Sequence, residues 1–163
     1  MRAVWASDRD NAAANQVHAQ WASWRIWGSA DGFGPCVTMG VLNDAAQLVA
    51  VMVYHNFDRK AGLIEISGAG DNPEWLKRHV LREMFAYPFA ELGCQIVVMR
   101  VSERNTRLHR ILTAYGFTSY KIARLRGRHE DEIVFTLTDD DWRNNRFNRS
   151  SSDCHGQEVS RAA

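Results

Sequence analysis

The sequence predicts a single mixed α/β domain, and three observations carry that reading. β-branched apolar runs alternate with stretches of helical period. The breaks between them fall on glycine, asparagine and proline. The chain has 163 residues, 45% hydrophobic and 24% charged, enough to bury one core. A net charge of +1 points neither to a general nucleic-acid binder nor to a strongly acidic protein. The start carries no apolar stretch of the secretory or anchoring kind, and the longest apolar run, Leu48 to Tyr54, is too short to span a bilayer. Cys36, Cys94 and Cys154 are widely spaced and form no CxxC pair, which fits reduced thiols better than a disulfide framework or a zinc site. A cytoplasmic protein without a metal is the expectation.

Residues 11 to 26 predict a helix, Ala-rich, with Val17, Trp21 and Trp24 on one stripe. Trp21, Trp24 and Trp27 read as packing residues. Gly28 to Pro35 is a loop. Cys36 to Leu42 and Gln47 to Tyr54 are strands joined as a hairpin through Asn43-Asp44. Leu63 to Ser67 is a third strand, followed by Gly68-Ala69-Gly70 as a flexible loop. Asp71-Asn72-Pro73-Glu74 then sets cap, proline and acid in the order that opens a helix. Leu76, Val80, Met84, Phe85, Phe89 and Leu92 mark one face of that helix. Pro88 kinks it, because proline lacks the N–H that would pair with the carbonyl of Met84, and Gly93 ends it.

Cys94 to Val101 is a central strand. Asn105 caps a shorter helix with Leu108, Ile111, Leu112 and Tyr115 on one stripe and Gly116 as its stop. Phe117 to Leu125 and Glu132 to Thr138 are the last strands. From Asn144 onward no apolar period remains, so the domain is drawn at 1–143, with 144–163 as a flexible tail.

Two segments carry a resemblance. In LGCQIVVMRVSERNTRLHRILTAYGF a strand ends in a short turn, Asn105 opens a helix, and Gly116-Phe117 closes it. In WLKRHVLREMFAYPFAELGC, Trp-Leu precedes a helix that runs through Tyr-Pro-Phe to Leu-Gly-Cys. In this order, residues 37 to 143 resemble the GNAT acyltransferases, and the second segment is similar to a GNAT-like branch common in phages and prophages. The resemblance implies a central twisted, mostly antiparallel sheet with helices on both faces and a splayed strand pair that holds CoA. It implies acetyl-CoA as co-substrate and a small-molecule or protein amine as acceptor, in a monomer or homodimer with no membrane partner.

A pyrophosphate needs positive charge and open N–H groups, which a helix N-terminus supplies. By the resemblance that place is Pro73 to Arg78, with Trp75, Leu76, Lys77 and Arg78 at the turn. Most GNATs have glycines there; here Leu76 and Arg78 hold those positions, and Lys77 and Arg78 supply charge. The pantetheine arm is expected along Ile66, Ser67 and Gly68, with Asn105 holding the far part of the cofactor as well as capping its helix.

Strand alternation puts Glu65 and Ser67 on one face, and Glu65 is the candidate general base, a solvated carboxylate being the alternative. Tyr54 and His55 are candidates to line the acceptor cleft, with a surface position the alternative for His55. Where many GNATs carry a general-acid tyrosine, this chain has Leu112, and Tyr115 reads as core. His129-Glu130-Asp131-Glu132 reads as a polar turn. Lys121, Arg124, Arg126 and Arg128, with Arg104, Arg107 and Arg110, are either a solvated face or a phosphate or nucleic-acid contact. Two other functions stay open: a phage-type modifier of DNA bases, and a catalytically silent module of the same fold that binds CoA or a partner.

Overall fold

A computed structural model describes residues 1–6 and 12–148. Seven strands form one sheet in the order β1-β2-β3-β4-β5-β7-β6. They are β1 (Arg2–Trp5), β2 (Cys36–Leu42), β3 (Leu48–Asp58), β4 (Leu63–Gly70), β5 (Ile96–Ser102), β6 (Thr118–Ile122) and β7 (Glu132–Thr138). Every neighbouring pair is antiparallel except β4 and β5. Helix α1 (Ala12–Trp27) covers β2 to β4 on one face. Helices α2 (Arg78–Ala86) and α3 (Thr106–Tyr115) cover the other, over the main core of Met39, Tyr54, Ile66, Phe85, Val97, Leu112 and Phe135. A short helix, α4 (Asp139–Arg143), follows β7.

The predicted hairpin is β2–β3, and the predicted last strand is β7. Helix α3 has the expected ends: Asn105 Oδ1 accepts from the Leu108 N–H at 3.1 Å, and Gly116, at φ +116°, turns its N–H back to the carbonyls of Leu112 and Thr113.

Four expectations need correction. The expected stripe of α1 faces the sheet only in part: Trp21 packs against the cluster of Ala19, Ala22, Val51 and Val53, whereas Val17, Trp24 and Trp27 are exposed, and the helix buries Asn15, Ala19, Ala22 and Ser23. Small residues let α1 lie close on the strands, and Asn15 Oδ1 accepts from both the N–H (2.8 Å) and the hydroxyl (2.9 Å) of Thr38. Gly68-Ala69-Gly70 is not a loop. It continues β4, with Met52↔Gly68, Val51↔Ala69 and Ala50↔Gly70 in register.

The long helix is divided. Asn72 and Pro73 open only a 3₁₀ turn (Pro73–Trp75), the α-helix is Arg78–Ala86, and a π-helical turn (Tyr87–Glu91) holds Pro88. The fourth correction concerns Phe117 to Leu125, of which only Thr118–Ile122 pairs with β7. Strand β1 went unforeseen: four residues at a sheet edge carry almost no periodicity.

The chain stays packed past Arg143. Asn145 is buried and donates to the carbonyl of Tyr115, and Phe147 stacks on the Tyr115 ring at 5.4 Å between centroids. Residues 149–163 of the expected tail, with Cys154, lie outside the described residues.

Candidate functional site

The site is built around the parallel strand pair β4 and β5. β4 and β5 are in register at Leu63↔Ile96, Ile64↔Val97 and Glu65↔Val98, and no further. Beyond Glu65, β4 keeps its partner β3 on one side and has no register partner on the other among the described residues. The strands therefore splay at Ile66–Gly70 and Met99–Ser102. Unpaired strand backbone needs partners, and a ligand with amides can supply them.

The splay opens on a cavity of about 550 Å³, within the range of about 300–1,000 Å³ usual for small-molecule pockets. Gly68, Ala69 and Gly70 of β4, Trp75 of the 3₁₀ turn with Leu76 just after it, and Asn105, Arg107, Leu108 and Leu112 beside and along α3 line it. Side chains approach the strand backbone closely here. A Cβ on Gly68 would sit 2.5 Å from Met52 Sδ, and one on Gly70 would sit 2.3 Å from Trp75 Nε1.

At the cavity's edge α2 begins with Lys77 as its N-cap, whose side chain makes no capping hydrogen bond among the described residues. The first N–H groups of a helix lack intrahelical partners and carry the positive end of its dipole. Lys77 is exposed there, whereas Arg78 turns its guanidinium to the carbonyl of Arg146 at 2.7 Å.

On the α1 face of the same strands stands a polar group. His55 and Glu65 are direct cross-strand partners, and His55 Nε2 lies 2.9 Å from Ser67 Oγ and 4.0 Å from Glu65 Oε1. The pairing of β3 with β4 is shifted between His55 and Asp58, and Asn56 there has φ +50°. This bulge aims the Asn56 side chain so that Nδ2 donates to Glu65 Oε2 at 3.0 Å. One carboxylate oxygen is thus fixed, and the other faces the imidazole. Burial lowers the His55 pKa, with the Glu65 charge pulling the other way, so the ring is held neutral. Phe33 packs on it at 5.0 Å.

The sequence-based candidates thus divide between two faces. Glu65, His55 and Ser67 come together on the α1 face. Gly68, Trp75, Leu76 and Asn105 line the cavity on the other. Ile66 keeps its side chain in the core and has only backbone to offer. Tyr54 parts from His55, since successive strand residues point to opposite faces; it is buried, with its hydroxyl 2.8 Å from the carbonyl of Met84. Asn56 was missed, and its signal was an asparagine, tolerant of positive φ, directly after His55.

The basic stretch is partly neutralised: Lys121 pairs with Glu103 and Asp131, and Arg126 with Glu130 and the buried Glu132, which also binds Arg100. Among the described residues no cluster of His, Cys, Asp and Glu is placed to hold a metal, and no helix is long and apolar enough to cross a membrane.

Solved structures share this architecture. The chain matches ribosomal-protein-S5-alanine acetyltransferase from Vibrio fischeri with a TM-score of 0.57 and 17% identity, over 66% of this chain and 63% of that one. It matches a dodecameric spermidine N-acetyltransferase from Vibrio cholerae with a TM-score of 0.58 and 13% identity, over 68% and 69% of the two chains. The chain has the GNAT acetyltransferase fold. At these identities the likeness is one of fold, and the chain spans less than two thirds of the length of the first relative. No family model and no curated protein matches the sequence. Within this fold, the cavity lies at the β4–β5 splay.

Proposed function

We propose that the protein is an acetyl-CoA-dependent N-acetyltransferase acting on an amine of a small molecule or protein. The observation that carries this reading is the loss of β4–β5 register after Glu65↔Val98, directly above an apolar cavity edged by the N-terminus of α2.

The residues present fit the cofactor. The unpaired β4 edge at Ile66–Gly68 suits an amide-bearing arm, the apolar walls suit its methylenes, and the start of α2 with Lys77 suits a pyrophosphate. Asn105 stands at the α3 end of the same cavity. Bound acetyl-CoA supplies an activated acetyl thioester.

The remaining steps fall to the chain's own groups. Glu65 takes the proton of the attacking amine on Oε1, the oxygen that Asn56 leaves free. Its position beside the splay lets it serve directly or through one water. Neutral His55, bonded to Ser67, lines the acceptor side without adding a charge that would repel a cationic amine. Leu112 stands where a tyrosine acid is common, so the leaving thiolate takes its proton from another group or from water.

The narrower likeness to the phage and prophage branch rests on the segment through Tyr87-Pro88-Phe89 and belongs to this reading. The test is release of free CoA thiol from acetyl-CoA in the presence of a panel of primary amines and polyamines. Amine-dependent release supports the reading. Cofactor binding with no release for any amine favours a silent binding module.

A further inference from the structure

Tyr115 closes α3 deep in the cavity wall, and it is 7% exposed. Its ring is held on three sides by Phe85 (4.9 Å), Phe147 (5.4 Å) and Phe117 (6.0 Å). The backbone carbonyl is engaged by Asn145. Its hydroxyl, though buried, has no hydrogen-bond partner among the described residues.

Leaving a buried hydroxyl unpaired is costly, and native structures keep few such groups without a use. Phenylalanine would fill the same aromatic cage at no such cost. The hydroxyl thus needs a partner that the chain itself does not supply. Burial also raises the phenol's pKa, so at neutral pH the group is an O–H donor.

We propose that Tyr115 is a ligand-binding residue, whose hydroxyl donates to an acceptor oxygen of the molecule that enters the cavity. Under the cofactor reading above, on which this rests, that oxygen is an amide or thioester carbonyl of acetyl-CoA. Tyr115 is a binding residue in this assignment and takes no part in proton transfer. Met52, Met84 and Leu112 line the same cavity as Tyr115.

The test pairs two measurements on Tyr115→Phe. Without ligand, the variant should melt at or above the unmodified protein, since it loses an unsatisfied group. With acetyl-CoA titrated calorimetrically, affinity should fall about three- to tenfold, the effect of one hydrogen bond. Tyr120→Phe, at an exposed tyrosine on β6, should change neither.

Opposite signs in melting and binding are what a merely structural tyrosine cannot produce. A lower melting temperature without ligand would mean that the hydroxyl is already satisfied in the free protein, and would overturn the proposal. So would unchanged affinity, which leaves the cofactor reading intact. No binding by the unmodified protein would overturn that reading and this one together.

Discussion

The hydroxyl of Tyr54 donates to the carbonyl of Met84 at 2.8 Å, and Met84 is the residue whose helical partner would be the N–H that Pro88 lacks. Strand β3 thus supplies the donor that Pro88 removes. The helix relaxes into a π-helical turn in which Leu92 N–H reaches Tyr87 and Cys94 N–H reaches Pro88.

Tyr54→Phe should destabilise the fold by about 1–2 kcal/mol, because a buried acceptor loses its donor. In a Pro88→Ala background the cost should shrink, since residue 88 then has an N–H to offer. Denaturant unfolding of the four proteins in the cycle measures this coupling. Equal costs in both backgrounds would show that the hydroxyl and Pro88 act independently.

Stability should fall on acidification. His18 and His55 both have pKa values lowered by burial, so below about pH 6.5 the unfolded chain binds protons that the folded chain refuses. Folding is then opposed progressively until the folded histidines themselves titrate. Melting temperatures from about pH 8 to about pH 5 should trace the decline, and His55→Gln should flatten it. A profile identical to that of the unmodified protein would mean that His55 is not buried neutral.

Glu65→Gln keeps the shape of the side chain and its bond to Asn56 but cannot take a proton. Cofactor binding should survive while turnover falls by about 100- to 10,000-fold, with the low-pH limb of the rate profile flattened. A change confined to the acceptor's KM, with the pH profile kept, would make Glu65 a positioning residue.

What was legible in the sequence was local. The Asn105 cap and the Gly116 stop each act within one turn, so the residues that form them are adjacent in the chain. The β2–β3 hairpin is similarly local. Gly68 and Gly70 read as a loop because glycine breaks strands; here they are strand residues because they pair with Met52 and Ala50 of β3, and an added Cβ would meet Met52 and Trp75, neighbours from other elements. The cap and proline at Asn72-Pro73 were genuine signals, but they govern a single 3₁₀ turn.

Trp24 appeared apolar enough for the core, whereas the approach of α1 to the sheet selects Ala19 and Ala22. The Glu65, His55 and Ser67 group depends on strand register and on a bulge at Asn56, which no periodicity reports. The unpaired hydroxyl of Tyr115 becomes visible only once its surroundings are assembled.

The central claim is that the splay of β4 and β5 holds an acyl-CoA, and calorimetric titration with acetyl-CoA tests it most directly. The account predicts saturable one-to-one binding that also raises the melting temperature. Binding should weaken in Gly68→Ala, where the new Cβ drives the Met52 thioether toward the cavity. No heat and no thermal shift at about millimolar cofactor would contradict the claim, as would undiminished binding in Gly68→Ala.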